Sequence, residues 1–250
     1  MAVRLFFIWL IISAKLSAQN SFIQEQRLNP RVDIAFKQKE DSLKKQFKKQ
    51  ELSWPPKQMY LRSFKYDSQL EVWIRYNTSD TFCLFKTYKV CALSGALGPK
   101  RMEGDYQVPE GFYHINAFNP KSMYHLALSL NYPNSSDALL SDSLNPGGEI
   151  FIHGGCVTVG CIPIKDTQIE ELYVLSSVVK NEGQDFIPVH IFPVNYNNKK
   201  SLTYLALQIK ENKQYLKFVE KIQEVYDYFN LHKKLPVIAV DAKGEYVLFN

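Results

Sequence analysis

At 250 residues the chain is long enough for one large domain or two small ones, and 46% hydrophobic with 22% charged residues is a globular composition rather than a disordered one. Gly and Pro counts of 11 and 12 exclude a fibrous or low-complexity protein, and a net charge of +5 does not call for a nucleic-acid partner. Four cysteines are too few for a disulfide scaffold, while 14% aromatic residues point to a strand-rich fold.

The chain opens with Arg4, the apolar run Leu5–Ile12, and small residues ending at Ala18. A basic start, a short apolar run and a small residue before the cut read as a secretory signal peptide over residues 1–18. The run is too short for a transmembrane helix, which needs about 20 residues. No later stretch is apolar enough to span a membrane, so the mature chain is expected to be exported to the periplasm or cell envelope and soluble there. Lysines and arginines crowd residues 19–57, from Arg27 and Arg31 through Lys57, so the positive charge belongs to a basic helical N-terminal arm.

Residues 31–51 place Val32, Phe36, Leu43 and Phe47 on one side of a helix, with lysines on its solvated face, and Trp54-Pro55-Pro56 ends it. The pattern then shifts to strands at 59–64, 70–76 and 81–93, with a turn at Asn77–Asp80. Further strands are expected at 112–117, 124–130 and 149–153, and 131–148 reads as a long surface loop. A helix follows Asp166, with Thr167 and Glu170 as its capping box and Gly183 past its end. A strand over 186–194 comes next. Tyr215, Phe218, Val219, Ile222, Val225, Tyr226 and Phe229 then mark a strongly amphipathic helix. Strands 237–240 and 246–249 close the chain through a turn at Lys243-Gly244. There is no internal repeat.

The chemistry lies in Ile150 to Pro163. A strand delivers His153, and a loop with three glycines returns to Cys161 just before a helix. Glycine allows positive φ and close backbone approach, so eight residues suffice to bring imidazole and thiol together. A cysteine beside a histidine is the minimal activated nucleophile. Amides around Gly160 and Cys161 can hold an oxyanion, and the positive end of the next helix is expected to lower the thiol pKa. Alternatives stand beside this reading. His153, Cys156 and Cys161 offer three zinc ligands, but at non-standard spacing and without a fourth, so no metal is expected. A Cys156–Cys161 disulfide would silence the nucleophile, and two buried structural cysteines near a satisfied histidine are the plain alternative. Cys83 and Cys91 fall in one expected strand, on the order of 26 Å apart and beyond disulfide reach, and read as small core residues.

Thr158-Val159-Gly160-Cys161, with His153-Gly154 upstream, resembles the [Ser/Thr]-x-Gly-Cys and His-Gly signatures of the L,D-transpeptidase (YkuD-type) catalytic domain. Lys86-Thr87-Tyr88, Cys91 to Lys100, Glu103-Gly104-Asp105, Val108 to Tyr113, Asn119-Pro120, Ser122, Tyr124-His125-Leu126, Tyr132-Pro133-Asn134, Asp137 and Asp166 extend the likeness over residues 58–194, and it is nearest to the YafK-like branch. The resemblance implies an α+β fold: a mainly β, sandwich-like catalytic domain at 58–194 with helical extensions at 19–57 and 195–250. It implies no cofactor and an acyl transfer on peptidoglycan stem peptides in cell-wall biogenesis and cell shape. By position, Cys161 is the nucleophile and His153 the proton carrier. Gly154, Gly155, Thr158 and Gly160 are expected to shape the turn and the oxyanion site. Tyr124, His125 and Tyr132 are expected to line the cleft, and Lys100 to meet a substrate carboxylate. The sequence departs from the wider family in its short His-to-Cys loop and in Pro163, where relatives often carry arginine beside the substrate. The thioester at a diaminopimelate carbonyl is common to a transferase and to an amidase that releases an envelope protein attached to peptidoglycan. A non-catalytic peptidoglycan-binding module is the remaining class. His114, His190 and His232 carry no functional claim.

Overall fold

A computed structural model describes residues 21–249, so the expected signal peptide lies outside the described residues. Helices α1 (Phe22–Arg27) and α2 (Pro30–Lys49) precede strands β1 (Gln58–Phe64), β2 (Gln69–Arg75) and β3 (Cys83–Lys89). Strands β4 (Gly111–Asn119) and β5 (Ala127–Leu130), helix α3 (Ser135–Leu140), and strands β6 (Phe151–His153) and β7 (Ile162–Pro163) follow. Helix α4 (Asp166–Asn181), strand β8 (Ile187–Phe192), helices α5 (Lys199–Ile209) and α6 (Lys213–His232), and the hairpin β9 (Val237–Val240)–β10 (Tyr246–Phe249) complete the chain. The α+β expectation takes the form of one large curled sheet of eight strands, ordered β3-β2-β1-β8-β4-β5-β6-β7, with helices packed on it. Only the β1–β8 and β6–β7 pairs are parallel.

Alternation along β1 separates the two faces of the sheet. Met59 and Leu61 join the core beneath α2 and α4, while Tyr60 and Phe64 pack with α6. Helix α4 crosses from the sheet edge at β7 to the central β8 and is buried at every position from Leu172 to Val179. Helix α2 buries Val32, Phe36, Leu43 and Phe47, the four residues that its sequence pattern picks out, and leaves Lys37, Lys44, Lys45, Lys48 and Lys49 in solvent.

On the opposite face, Arg62 is buried with its guanidinium 4.9–5.2 Å from the rings of Phe64, Trp73, Tyr226 and Phe229. Its Nε and Nη1 donate to Glu71 and Asn230, both at 2.8 Å. A desolvated cation held by ring faces, a carboxylate and an amide fastens α6 to the sheet. Among the described residues no helix is long and apolar enough to cross a membrane.

Several local expectations need correction. Strand β3 ends at Lys89, so Cys91 lies beyond it. The loop over 131–148 contains α3, capped reciprocally by Asn134 and Asp137. Thr167 and Glu170 do not cap α4. Its N-cap is Lys165, whose amide donates to Gln168 Oε1, and Glu170 is drawn instead to His125 and Lys39. The two-residue β7 and helix α5 lack a sequence pattern strong enough to announce them.

Candidate active site

The parallel β6–β7 register pairs Ile152 with Ile162 and His153 with Pro163. Side chains two residues apart share a face, so His153 and Cys161 project from the same side, one strand over and one repeat along, with Cα atoms roughly 8 Å apart. Ile152 and Ile162 point the other way, into the core under α4. The His153 and Cys161 side chains therefore lie on the sheet face on which α6 packs further along. Helix α6 and the β9–β10 hairpin cover the centre of that face through Tyr60, Phe64, Phe112 and Phe192. The β5–β7 edge lies beyond them.

His153 is 1% exposed. Its Nδ1 donates to the Gly154 carbonyl at 2.5 Å, which fixes the neutral tautomer and leaves Nε2 as the basic nitrogen. Burial holds its pKa below the usual histidine value, and the Gly154 carbonyl opposes that shift. The Tyr124 ring lies on the imidazole at 4.7 Å and 31°. The Cys161 thiol is directed at the Glu149 carbonyl at 3.6 Å. Burial raises its pKa, helped by the Glu149 carboxylate and opposed by the Phe151 amide and the Lys100 cation. The direction is opposite to the lowering expected from the following helix. Both shifts favour the neutral forms, and no hydrogen bond joins the two side chains among the described residues.

The turn between them is tightly specified. Thr158 Oγ1 accepts from the Gly160 amide at 3.0 Å and donates to the Cys161 carbonyl at 2.8 Å, the organising role its position suggests. A Cβ on Gly154 would lie 2.6 Å from Asp166 Oδ1 and 2.9 Å from the Tyr124 carbonyl, so only glycine fits. Asp166 Oδ1 also accepts from the Gly155 amide at 2.8 Å, which ties the first turn of α4 to the loop. The Gly160 amide, expected near an oxyanion, is engaged by Thr158.

Cys91 and Cys156 form a disulfide with Cα atoms 5.4 Å apart. This corrects the reading of Cys91 as a core thiol. It also overturns a Cys156–Cys161 bridge and takes one ligand from the zinc alternative. Cys83 and Cys161 are free. The sequence does not reveal the bridge because the strand pattern runs through Cys91. The chain leaves that strand two residues earlier, and the Cys91 amide then donates to the Pro163 carbonyl at 3.0 Å, beside β7.

Residues 67–191 match the YkuD L,D-transpeptidase catalytic domain. The chain belongs to this family. It is 30% identical over 206 residues to the putative L,D-transpeptidase YafK of Escherichia coli K12, covering 82% of this chain and 78% of that protein. Among solved structures, the helical cell shape determining protein Pgp2 of Campylobacter jejuni aligns over 73% of this chain and 72% of its own, with 20% identity and a TM-score of 0.44. Bd1075 of Bdellovibrio bacteriovorus aligns over 72% and 62%, with 21% identity and a TM-score of 0.41.

Within this L,D-transpeptidase domain the expected substrate residues divide. Tyr124, half exposed over His153, faces the cleft. His125 does not: its Nε2 bonds Glu170 at 2.8 Å, and Glu170 also pairs with Lys39. Tyr132 is buried, its hydroxyl donating to the Pro146 carbonyl at 2.9 Å, so it braces the loop. Lys100 is not offered to a ligand carboxylate, because it is 5% exposed and its Nζ lies 2.6 Å from Asp105 Oδ1 and 2.8 Å from the Met102 carbonyl. Asp166, part of the resemblance but given no role from sequence, is the residue that holds the glycine turn.

Proposed function

We propose that this protein is an exported cysteine acyl-transfer enzyme acting at a diaminopimelate carbonyl in peptidoglycan stem peptides. The observation that carries the reading is the shared face of His153 and Cys161 on adjacent parallel strands, with the tautomer of His153 fixed by Gly154. The Cys161 sulfur attacks the carbonyl carbon while His153 Nε2 takes the thiol proton. The Cys161 amide meets the oxyanion, since the Gly160 amide is held by Thr158. The intermediate collapses to a thioester, and His153 hands its proton to the departing amine. An incoming amine, or water, then gives a proton to His153, breaks the thioester, and restores the thiol. The Cys91–Cys156 bridge supports an oxidising compartment, as the expected signal peptide requires.

The test is incubation of purified protein with defined muropeptides, with products read by mass. A joined product identifies transfer, and two fragments whose masses sum to the substrate plus one water identify hydrolysis. Cys161→Ala should abolish both and keep the wild-type unfolding profile. Turnover that survives in that variant would refute the mechanism.

A further inference from the structure

The N-terminal arm lies outside the family match, which begins at residue 67, yet one of its side chains reaches the loop beside His153. The arm is seated along α4. Tyr173 donates to Gln26 Oε1 at 2.6 Å, Gln46 donates to Glu171 Oε1 at 2.9 Å, and the buried stripe of α2 joins the main core. Arg31 stands in the first turn of α2, where Asn29 Oδ1 accepts from its amide at 3.0 Å. The positive end of a helix is an unfavourable place for a cation, and Arg31 has no carboxylate partner there among the described residues. Its Nη1 donates instead to two backbone carbonyls, that of Ser122 at 2.8 Å and that of His125.

Those carbonyls bracket Tyr124, whose ring lies on the His153 imidazole at 4.7 Å. Little apolar packing holds the loop in this place, since Met123 is 92% exposed and Tyr124 is 43% exposed. His125 also takes a left-handed backbone, φ 71°, which is unfavourable for a residue with a Cβ and persists only where outside contacts offset it. Two contacts do so. Arg31 holds the His125 carbonyl, and Glu170 holds the His125 ring at 2.8 Å while pairing with Lys39 of α2 at 3.0 Å. Within the loop, Ser122 Oγ accepts from the Tyr124 amide at 3.0 Å. Tyr124 then meets the glycine turn, its ring 3.8 Å from where a Cβ on Gly155 would stand.

We propose that Arg31 is a positioning residue for the acyl transfer: by clamping the two carbonyls it keeps the Tyr124 ring over His153, so that the arm completes a site the matched domain does not complete alone. The proposal rests on the acyl-transfer reading above. The ring covers one face of the imidazole, keeps water from it and limits its rotation, while Nδ1 stays on the Gly154 carbonyl. The titratable groups around the imidazole are the Tyr124 phenol, the Cys161 thiol, the Asp166 carboxylate that holds the Gly155 amide, and His125 with Glu170 behind the loop. Burial is the larger influence on His153, opposed by the Gly154 carbonyl. Releasing the ring admits water and should raise the imidazole toward its ordinary value of 6.5.

The experiment follows the His153 ring protons of the full chain by NMR between about pH 4 and 8, beside kcat/KM for a defined muropeptide. Arg31→Ala should raise the His153 midpoint by about half a pH unit or more and lower kcat/KM about fivefold or more. Tyr124→Ala should do the same, and adding Arg31→Ala to it should change neither quantity further. Arg31→Lys should recover part of both, because one ammonium can donate to two carbonyls. Arg27→Ala removes the 2.7 Å pair with Asp33 on the same arm and should leave the midpoint in place. A His153→Asn spectrum assigns the resonance, and thermal unfolding checks each fold.

A wild-type midpoint in Arg31→Ala, an equal shift in Arg27→Ala, or an Arg31 effect undiminished in the Tyr124→Ala background would overturn the proposal. So would a shifted midpoint with unchanged kcat/KM. Absence of turnover by the wild-type protein would remove the acyl-transfer reading, and the midpoints would then still decide whether Arg31 holds Tyr124 over His153.

Discussion

The Cys91–Cys156 bridge makes a prediction whose size follows from the structure. It closes a loop with a sequence separation of 65, which constrains the unfolded chain. Loop-closure entropy for that length corresponds to about 4 kcal/mol of stability, or a fall in Tm of roughly 10 °C for a domain of this size when the bridge is lost. Cys156 lies between His153 and Cys161, so the bridge also pins the turn that sets their relation. Its loss should cut turnover more than the stability change alone would. The assay compares wild type with Cys91→Ser/Cys156→Ser, with and without reductant, by thermal unfolding and muropeptide turnover. Alkylation without reductant, followed by peptide mapping, should label Cys83 and Cys161 and recover Cys91 joined to Cys156. A map that joins Cys156 to Cys161, or a wild-type Tm that reductant does not move, would refute the reasoning.

Other outcomes follow from the same geometry. Thr158→Val removes the acceptor for Gly160 and the donor to Cys161, so kcat should fall by about tenfold or more, with Thr158→Ser restoring most of it; equal rates in both variants would remove Thr158 from the turn. The acid limb of kcat/KM should titrate below pH 6.5, because burial depresses His153, and a limb above 6.5 would contradict a neutral buried base. Thiol alkylation should rise with an apparent pKa above 9, since burial raises Cys161. His190 is buried against Tyr60, and desolvation lowers its pKa to about 3. The unfolded chain takes up the proton first, so His190 should cost up to about 1.4 kcal/mol of stability per pH unit as pH falls from 6.5. Urea unfolding across that window should show a shallower slope in His190→Asn.

Legibility in the sequence tracked the length of the periodic signal. The stripes of α2 and α6 run over several turns, and nearly every residue they pick out is buried. The His153–Cys161 turn was legible because it is local in sequence and its glycines have no other use. Long-range partners were not legible. The Cys91 bridge, the Lys100–Asp105 pair and the Glu170–His125–Lys39 cluster depend on which loops meet, and the residue types alone fit exposed or core positions equally well. Strand β7 has two residues, too few for any period, yet its parallel pairing with β6 gives the site its geometry.

That pairing also constrains the order of events. Parallel neighbours one repeat apart hold imidazole and thiol on one face without forcing contact, and each is engaged by a backbone carbonyl, Gly154 for His153 and Glu149 for Cys161. Burial raises the thiol and lowers the imidazole, so under the proposed acyl-transfer mechanism charge forms as the substrate carbonyl is attacked. A carbonyl seated between the two residues displaces water and gives the sulfur a reason to leave Glu149.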